Sequence, residues 1–319
     1  MFGAFRLALA FIVFRTHTAS VAGGVYAVFA FFVLSGYLMT LVMHKSYGYS
    51  IGGRLRFLLN RFLRIYPPYW VALIGTLALM LLMGETVWET SYERLRFPET
   101  LADWFKNVFL AFRPFPPETI FVPPAWALSV ELFWYLAICL GASRTRRRCL
   151  IWLIGSLLYS GTAWYMGVSW EDRYASLQAA SLPFALGSAL FFIPADLKWS
   201  LSIPVWLLAE LLLGNFVIGN AQGLIFGLYF YLNIFLSACL VLTLSNYRGG
   251  KLDAEMGSLS YPLYLLHWPV SVVIGHLLGL GKGYPLFWLS VPVALAVSWL
   301  VVRCVEAPVE RLRGRVKPA

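Results

Sequence analysis

Apolar stretches of about 20 residues alternate with short polar segments along nearly the whole chain. A helix of that length crosses the hydrocarbon core of a bilayer, because each residue adds about 1.5 Å. The pattern predicts about ten transmembrane helices. Their expected positions are residues 4–22, 25–43, 66–84, 124–142, 149–168, 176–193, 202–218, 223–244, 258–279 and 285–304. We therefore expect an all-α fold, a polytopic bundle of transmembrane helices.

Two segments depart from this simple alternation. Residues 50–66 carry Arg54, Arg61 and Arg64 at near-helical spacing within an apolar pattern, which predicts an amphipathic helix on the cytoplasmic surface. Residues 85–123 are rich in proline and acidic side chains and are too polar to span a bilayer. We expect them to form a long external loop.

The basic residues indicate the orientation of the chain. Roughly 18 of the 25 Lys and Arg residues fall on one side of the predicted bundle. Basic residues accumulate on the cytoplasmic side of membrane proteins, so both termini are expected in the cytoplasm. Residues 1–310 would form the membrane domain, and residues 311–319 a cytoplasmic basic tail.

Composition supports the membrane setting and narrows the function. Hydrophobic residues make up 60% of the chain, charged residues only 13%, and the mean hydropathy is +0.72, which excludes a large soluble domain. The net charge of +10 lies in short clusters beside apolar segments, so topology explains it better than nucleic-acid binding. The four cysteines show no metal-ligand spacing, and no metal site is expected.

Ionisable side chains within apolar segments are the first candidates for chemistry. Arg6 and His17 lie eleven residues apart in the first predicted helix, on nearly one face and roughly 16 Å apart. Counting along the helices places Glu131 at the depth of His17, where a carboxylate could orient the imidazole as a general base. Ser35 and His267 are expected near the midplane. The alternative for each residue is a polar contact that only specifies helix packing.

Arg61 and Arg64 form an Arg-Phe-Leu-Arg step, which puts both guanidinium groups on one helix face. Guanidinium groups bind phosphate in a bidentate manner, so the pair suits a phosphorylated ligand. Anionic lipid headgroups are an equally good interpretation.

Six motifs occur in an order that resembles the acyltransferase 3 family of integral-membrane O-acyltransferases. The motifs are Arg6 with His17, AVFAFFVLSGYLM with Ser35, NRFLRIYPPYW with Arg61 and Arg64, PPAWALSVELFWY with Trp126, Ser129 and Glu131, SLSYPLYLLHWPV with Tyr261, Tyr264 and His267, and VEAPVER near the end. They extend over nearly the whole chain. One departure concerns residues 28–30, Val-Phe-Ala, where many members have an acidic residue before the Phe-Phe pair.

The resemblance implies transfer of an acyl group, usually acetyl, to a carbohydrate hydroxyl. The donor would be acetyl-CoA or a related acyl-CoA in the cytoplasm, acting as a co-substrate, and no metal is implied. The acceptor would be an exopolysaccharide or other cell-surface glycan, as polysaccharide or lipid-linked oligosaccharide, and the protein would lie in a bacterial cytoplasmic membrane. The implied catalytic residues are His17, Glu131 and Ser35; the donor-binding residues are Arg6, Arg61 and Arg64; and the site-lining residues are Trp126, Ser129, Tyr261, Tyr264 and His267.

Several alternatives stay open at the level of sequence. A transporter or flippase of lipid-linked glycans would also contain many spans and buried polar residues, although we find no inverted repeat typical of such proteins. Acetyl and succinyl groups are both compatible with the sequence, as are direct transfer and an acyl-histidine intermediate. Exposed aromatic residues would face lipid or, in a homo-oligomer, a second copy of the chain.

Overall fold

The computed structural model describes residues 1–111, 117–200, 204, 208, 211–214 and 227–316. These residues form helices and connecting turns, and the described part of the chain contains no β-strand. The helices are α1 Phe2–Ala19, α2 Gly24–Val42, α3 Ile51–Met83, α4 Glu85–Glu89, α5 Leu101–Phe109, α6 Trp126–Leu140, α7 Arg146–Tyr165, α8 Trp170–Ala175, α9 Leu177–Leu190, α10 Ala195–Ser200, α11 Leu228–Leu244, α12 Lys251–Leu278, α13 Tyr284–Val301 and α14 Ala307–Val316. The expectation of an all-α fold is therefore confirmed for the described residues.

Five helical segments are long and apolar enough to cross a membrane. They are Gly24–Tyr47, Ile51–Met83, Pro123–Leu140, Lys251–Leu278 and Tyr284–Val316. Two shorter apolar helices, α9 and α11, lie at positions predicted to span the membrane. Helices α1 and α7 also lie at predicted positions, but they are not among the five segments. Most of the predicted span 202–218 lies outside the described residues. Residues 223–226, at the beginning of the next predicted span, also lie outside them. Ten spans and cytoplasmic termini thus stay predictions.

Helices α1 and α12 run parallel and pack closely, and this contact determines the position of the candidate residues. Gly3 lies so close to α12 that a Cβ atom placed on it would be 1.7 Å from the carbonyl oxygen of Asp253. The Asp253 carboxylate accepts a hydrogen bond of 2.9 Å from the backbone nitrogen of Ala4, at the beginning of α1. Small residues permit such close helix approach in membranes. The contact fixes the height of α1 relative to α12.

Helix α3 is longer than the sequence pattern predicts. The amphipathic segment 50–66 and the span 66–84 join into one continuous helix through Pro67 and Pro68. Ser50 caps its first turn by accepting a hydrogen bond from the Gly53 nitrogen. Apolar side chains of the first part are exposed at intervals of three or four residues, as expected for a face that contacts lipid.

Part of the predicted external loop lies along α3 instead of beyond its end. Tyr66 and Trp70 donate hydrogen bonds of 2.9 Å to the carbonyl oxygens of Phe109 and Val108, at the end of α5. Tyr66 lies about 25 Å along the helix axis from the end of α3 at Met83. The end of α5 therefore packs along the side of α3, and the external location of residues 85–123 stays a prediction.

Internal hydrogen bonds satisfy the polar side chains of this segment. Asp103 is buried and accepts hydrogen bonds from Thr100 and Lys106. Asn107 is also buried; its amide group donates to the Thr119 carbonyl and accepts from the Phe121 nitrogen. Polar groups that find such partners can be packed against a helix bundle at low cost.

Candidate functional site

The structure contains a large cavity beside the end of α1, which we call the histidine cavity. Its volume is about 500 Å³. Its lining comes from the end of α1, from α4 and the turn after it, from the second half of α12, from the α12–α13 turn and from the beginning of α13. The residues are His17, Thr18, Thr86, Val87, Thr90, Ser91, Trp268, Ser271, Val272, Gly275, His276, Leu280, Gly281, Lys282 and Leu286. A volume of this size accommodates a small-molecule ligand, and the mixture of an aromatic ring with hydroxyl groups suits a polar one.

His17 lies in the wall of this cavity and contacts a second histidine. The distance between His17 Nδ1 and His267 Nε2 is 2.8 Å, within hydrogen-bond range. The two imidazole planes differ by only 8°, and their centroids are 5.1 Å apart. The Trp268 ring packs on His17 from the side, with a centroid distance of 4.5 Å. His267 itself is fully buried.

A second cavity lies toward the beginning of α1, and we call it the arginine cavity. Its volume is about 150 Å³. It is lined by residues of α1, α2, α3, α6 and α12: Arg6, Val28, Phe31, Phe32, Leu34, Ser35, Leu38, Met39, Arg61, Arg64, Ile65, Ala127, Leu128, Glu131, Tyr135, Ser260, Tyr261 and Tyr264. Three guanidinium groups and one carboxylate therefore share a small cavity with three tyrosines.

Glu131 is held inside the arginine cavity by two hydroxyl groups. Ser35 of α2 and Tyr135 of α6 both donate hydrogen bonds to its Oε1 atom. The Ser35 side chain is directed at α6 because Gly36, the next residue, packs against the backbone of Phe184 in α9. Glu131 thus joins α2 to α6 at the level of the arginines.

Arg61 and Arg64 have different partners. Arg64 forms an ion pair with Glu306, with 2.8 Å between Nη1 and Oε2. Arg61 donates a hydrogen bond of 2.7 Å to Asn60 Oδ1, which also accepts a bond of 3.1 Å from Arg313 of α14. The C-terminal helix therefore packs against the same part of α3 as the arginine pair.

The structure brings together most of the predicted residues, but in different pairs. Among the described residues, His17 and Glu131 share no hydrogen bond, because Glu131 binds Ser35 and Tyr135 while His17 binds His267. The structure therefore does not contain the hydrogen bond by which Glu131 would orient His17, and the catalytic role of Glu131 stays a prediction. Ser35, predicted as catalytic, lies with Glu131 in the arginine cavity and not beside His17.

The predicted site-lining residues other than His267, which contacts His17, divide into two groups. Tyr261 and Tyr264 line the arginine cavity, and their hydroxyl groups donate to the carbonyl oxygens of Ile65 and Pro124. Trp126 and Ser129 line neither cavity. Ser129 is buried and donates a hydrogen bond of 2.8 Å to the Trp126 carbonyl, within its own helix.

Sequence reasoning missed several residues of the two cavities. Tyr135 lies four residues after Glu131, so helical spacing was a usable signal that both share one face. Glu306 belongs to a recognised motif, but its partner Arg64 is 242 residues away in sequence. Lys282 and the hydroxyl groups of the α4 region had no motif or periodicity that could have identified them.

Two curated proteins resemble the chain. A Bacillus subtilis (strain 168) protein named as a peptidoglycan O-acetyltransferase, YrhL, is 24% identical over 332 residues, covering 90% of this chain and 50% of the relative. A Komagataeibacter xylinus protein named as a membrane-bound transacylase, BcsY, is 25% identical over 323 residues, covering 85% of this chain and 72% of the relative. The chain thus spans half the length of the Bacillus relative. No solved structure gives a significant match.

A family model described as an acyltransferase domain matches residues 2–303, which include α1 to α13 and both cavities. The match agrees with the ordered motifs and with the five helical segments that could cross a membrane. The chain therefore belongs to the acyltransferase 3 family.

Proposed function

We propose that the protein transfers an acetyl or similar short acyl group from cytoplasmic acyl-CoA to a hydroxyl group of a cell-surface glycan or exopolysaccharide. The observation that carries the proposal is the arrangement of two cavities along α1. One is rich in arginine and suits a phosphorylated donor, and the other is larger and is lined by a histidine together with several hydroxyl groups. The names of the two relatives, an O-acetyltransferase and a transacylase, support the same type of reaction.

The arginine cavity has the charge and the free donors that a coenzyme A phosphate needs. Arg6, Arg61 and Arg64 line it. The buried Arg61 Nε atom has no hydrogen-bond partner among the described residues. A buried donor without a partner is costly, and a phosphate oxygen would satisfy it with a charge-assisted hydrogen bond. This favours a bound anion over plain membrane anchoring.

The distance between the cavities suits the length of the donor. Arg6 and His17 are separated by eleven residues of one continuous helix, or roughly 16 Å. The pantetheine arm of acyl-CoA is of comparable length. A donor whose phosphates lie at the arginines can thus extend its thioester along α1 toward His17.

His17 would act as the general base. Its free ring nitrogen accepts the proton of the acceptor hydroxyl while the hydroxyl oxygen bonds to the thioester carbonyl carbon. The resulting tetrahedral intermediate expels the thiolate of coenzyme A, and His17 returns the proton to that sulfur. The products are the O-acyl glycan and free coenzyme A, and no further reactant is needed.

The test measures transfer of radiolabelled acetyl from acetyl-CoA to membrane-associated glycan in vesicles containing the purified protein. We expect His17→Gln to reduce transfer by at least about 10²-fold, the usual size of a general-base contribution. His44→Gln is the matched control, because His44 binds the Ser143 carbonyl and lines neither cavity. Normal transfer by His17→Gln would overturn the general-base role. Glycan translocation without any acetyl incorporation by the wild type would favour a flippase.

The donor site has its own test. We expect Arg61→Ala and Arg64→Ala to raise the KM for acetyl-CoA more than they lower kcat, because both residues are assigned to binding. Arg56→Ala, another arginine of α3 with an exposed side chain, is the control. An unchanged KM in both variants would contradict the assignment of the arginine cavity to the donor.

A further inference from the structure

We propose that His267 is a positioning residue that holds His17 in its reactive tautomer and orientation. This inference rests on the proposed function and gives a buried histidine the role that the sequence assigned to a carboxylate. It depends on the packing of α1 against α12, on two hydrogen bonds and on the surroundings of the two rings.

The packing of the two helices determines which residue faces His17. The close contact between the beginnings of α1 and α12, near Gly3 and Gly257, places the following turns of both helices side by side. Further along, His17 of α1 therefore lies against His267 of α12. His267 is fully buried, so its ring has no freedom to exchange partners with solvent.

The direction of the hydrogen bonds follows from one carbonyl group. His267 Nδ1 lies 3.1 Å from the Leu263 carbonyl oxygen, which can only accept, so Nδ1 carries the proton. In a neutral imidazole the other nitrogen then holds the lone pair, so His267 Nε2 accepts a hydrogen bond from His17 Nδ1 over 2.8 Å. His17 consequently has its own lone pair on Nε2. That nitrogen is the one left for the cavity.

The surroundings keep the pair in this geometry. Phe14 packs on the His267 ring at a centroid distance of 5.2 Å, and Trp268 packs on His17 at 4.5 Å. The two rings are nearly coplanar and meet edge to edge at their hydrogen bond, so neither ring can rotate without breaking that bond and its aromatic contacts.

Other titratable groups near the pair do not provide an equivalent partner. Lys282 lies over the Trp268 ring at 5.9 Å, and His276 lines the same cavity. On α12, the Tyr264 hydroxyl donates to the Pro124 carbonyl. Tyr92 contacts the pair only through the ring of Trp268, at 5.5 Å. His267 is thus the hydrogen-bond acceptor that can select the tautomer of His17.

The arrangement also stabilises the charge that forms during transfer. When His17 Nε2 takes the acceptor proton, the imidazole becomes positive and its Nδ1 hydrogen bond to His267 becomes charge-assisted. His267 keeps its proton on Nδ1 and takes no proton from His17. The proton of His17 Nε2 then passes to the leaving thiolate, which restores the initial state.

The experiment compares His267→Leu with His267→Gln in the intact, membrane-reconstituted protein. Leucine removes the acceptor, whereas glutamine can place its amide oxygen near the position of Nε2 and accept from His17. We expect kcat to fall by about 10²-fold in His267→Leu, with the KM for acetyl-CoA changed less than about 2-fold. We expect His267→Gln to recover at least about a tenth of the wild-type kcat. His44→Leu controls for loss of a histidine elsewhere.

A spectroscopic measurement removes the ambiguity of a folding defect. The ¹⁵N chemical shifts of the His17 ring report which nitrogen carries the proton. We expect an Nδ1-protonated ring in the wild type and in His267→Gln, and a mixture of tautomers in His267→Leu. A wild-type kcat in His267→Leu, or an Nε2-protonated His17 in the wild type, would overturn the proposal. A wild-type kcat in His267→Leu would leave the proposed acyl transfer intact, and that proposal fails separately if the wild-type protein incorporates no acetyl.

Discussion

Replacing Gly3 by alanine tests whether the contact of α1 with α12 supports the whole arrangement. The new Cβ atom would lie 1.7 Å from the Asp253 carbonyl oxygen, whereas ordinary van der Waals contact begins at 3.4 Å. The obstacle is backbone, so the helices must separate by about 1.7 Å at this point. That separation also weakens the hydrogen bond from Ala4 to the Asp253 carboxylate. Overpacking together with a weakened hydrogen bond costs about 2–4 kcal/mol.

The assay is thermal unfolding of the purified protein in detergent, with Gly75→Ala as the matched control. Gly75 lies within helix α3, and a Cβ atom there meets nothing within 4 Å. Alanine at Gly75 should be neutral or stabilising by up to about 1 kcal/mol. We expect Gly3→Ala to melt at a clearly lower temperature and to lose acyl transfer, because α1 carries both Arg6 and His17. Equal melting temperatures for the two variants would refute the reasoning.

Two further predictions concern Arg313 in α14 and Asp103 in α5. Arg313 and Arg61 both donate hydrogen bonds to Asn60 Oδ1 of α3. Arg313→Gln should therefore loosen the position of Arg61 and raise the KM for acyl-CoA by about 5-fold. Arg315→Gln, at an exposed position, is the control and should leave this KM unchanged. An unchanged KM in the Arg313 variant would argue against this coupling. The hydrogen bond from Lys106 holds the pKa of Asp103 below its usual range. The ionised Asp103 carboxylate therefore stabilises the folded protein at neutral pH. This stabilisation is lost as the pH falls below about 4 and the carboxylate is protonated. Thermal unfolding of Asp103→Asn should show a deficit at neutral pH that disappears in acid, and a pH-independent deficit would contradict this.

Local properties explain the parts of the fold that could be read from sequence. The length of each apolar stretch and the helical period depend only on neighbouring residues, so α2, α3, α12 and α13 were predictable as helices. Bounds were less predictable, as the continuation of α3 through Pro67 and Pro68 illustrates. Both proline nitrogens lack a hydrogen, yet packing of neighbouring elements kept the helix intact.

The candidate residues were also identifiable one by one. Burying an ionisable group in an apolar helix costs free energy, so such a residue indicates a functional site. Arg6, His17, Glu131 and His267 all line a cavity or contact a residue that does. Their pairing was not identifiable. Counting residues from the ends of predicted spans placed Glu131 at the depth of His17, since it assumed that α6 begins at the membrane surface.

The sequence by itself determined that this protein is a helical membrane protein, which polar residues interrupt its apolar segments, and which family it resembles. Only the tertiary structure decided that Glu131 belongs with the arginines and that His267 belongs with His17. The physical reason is that relative helix height is a non-local property. It is set by close backbone contacts such as Gly3 on α12, between residues about 250 positions apart, and no local pattern encodes such a contact.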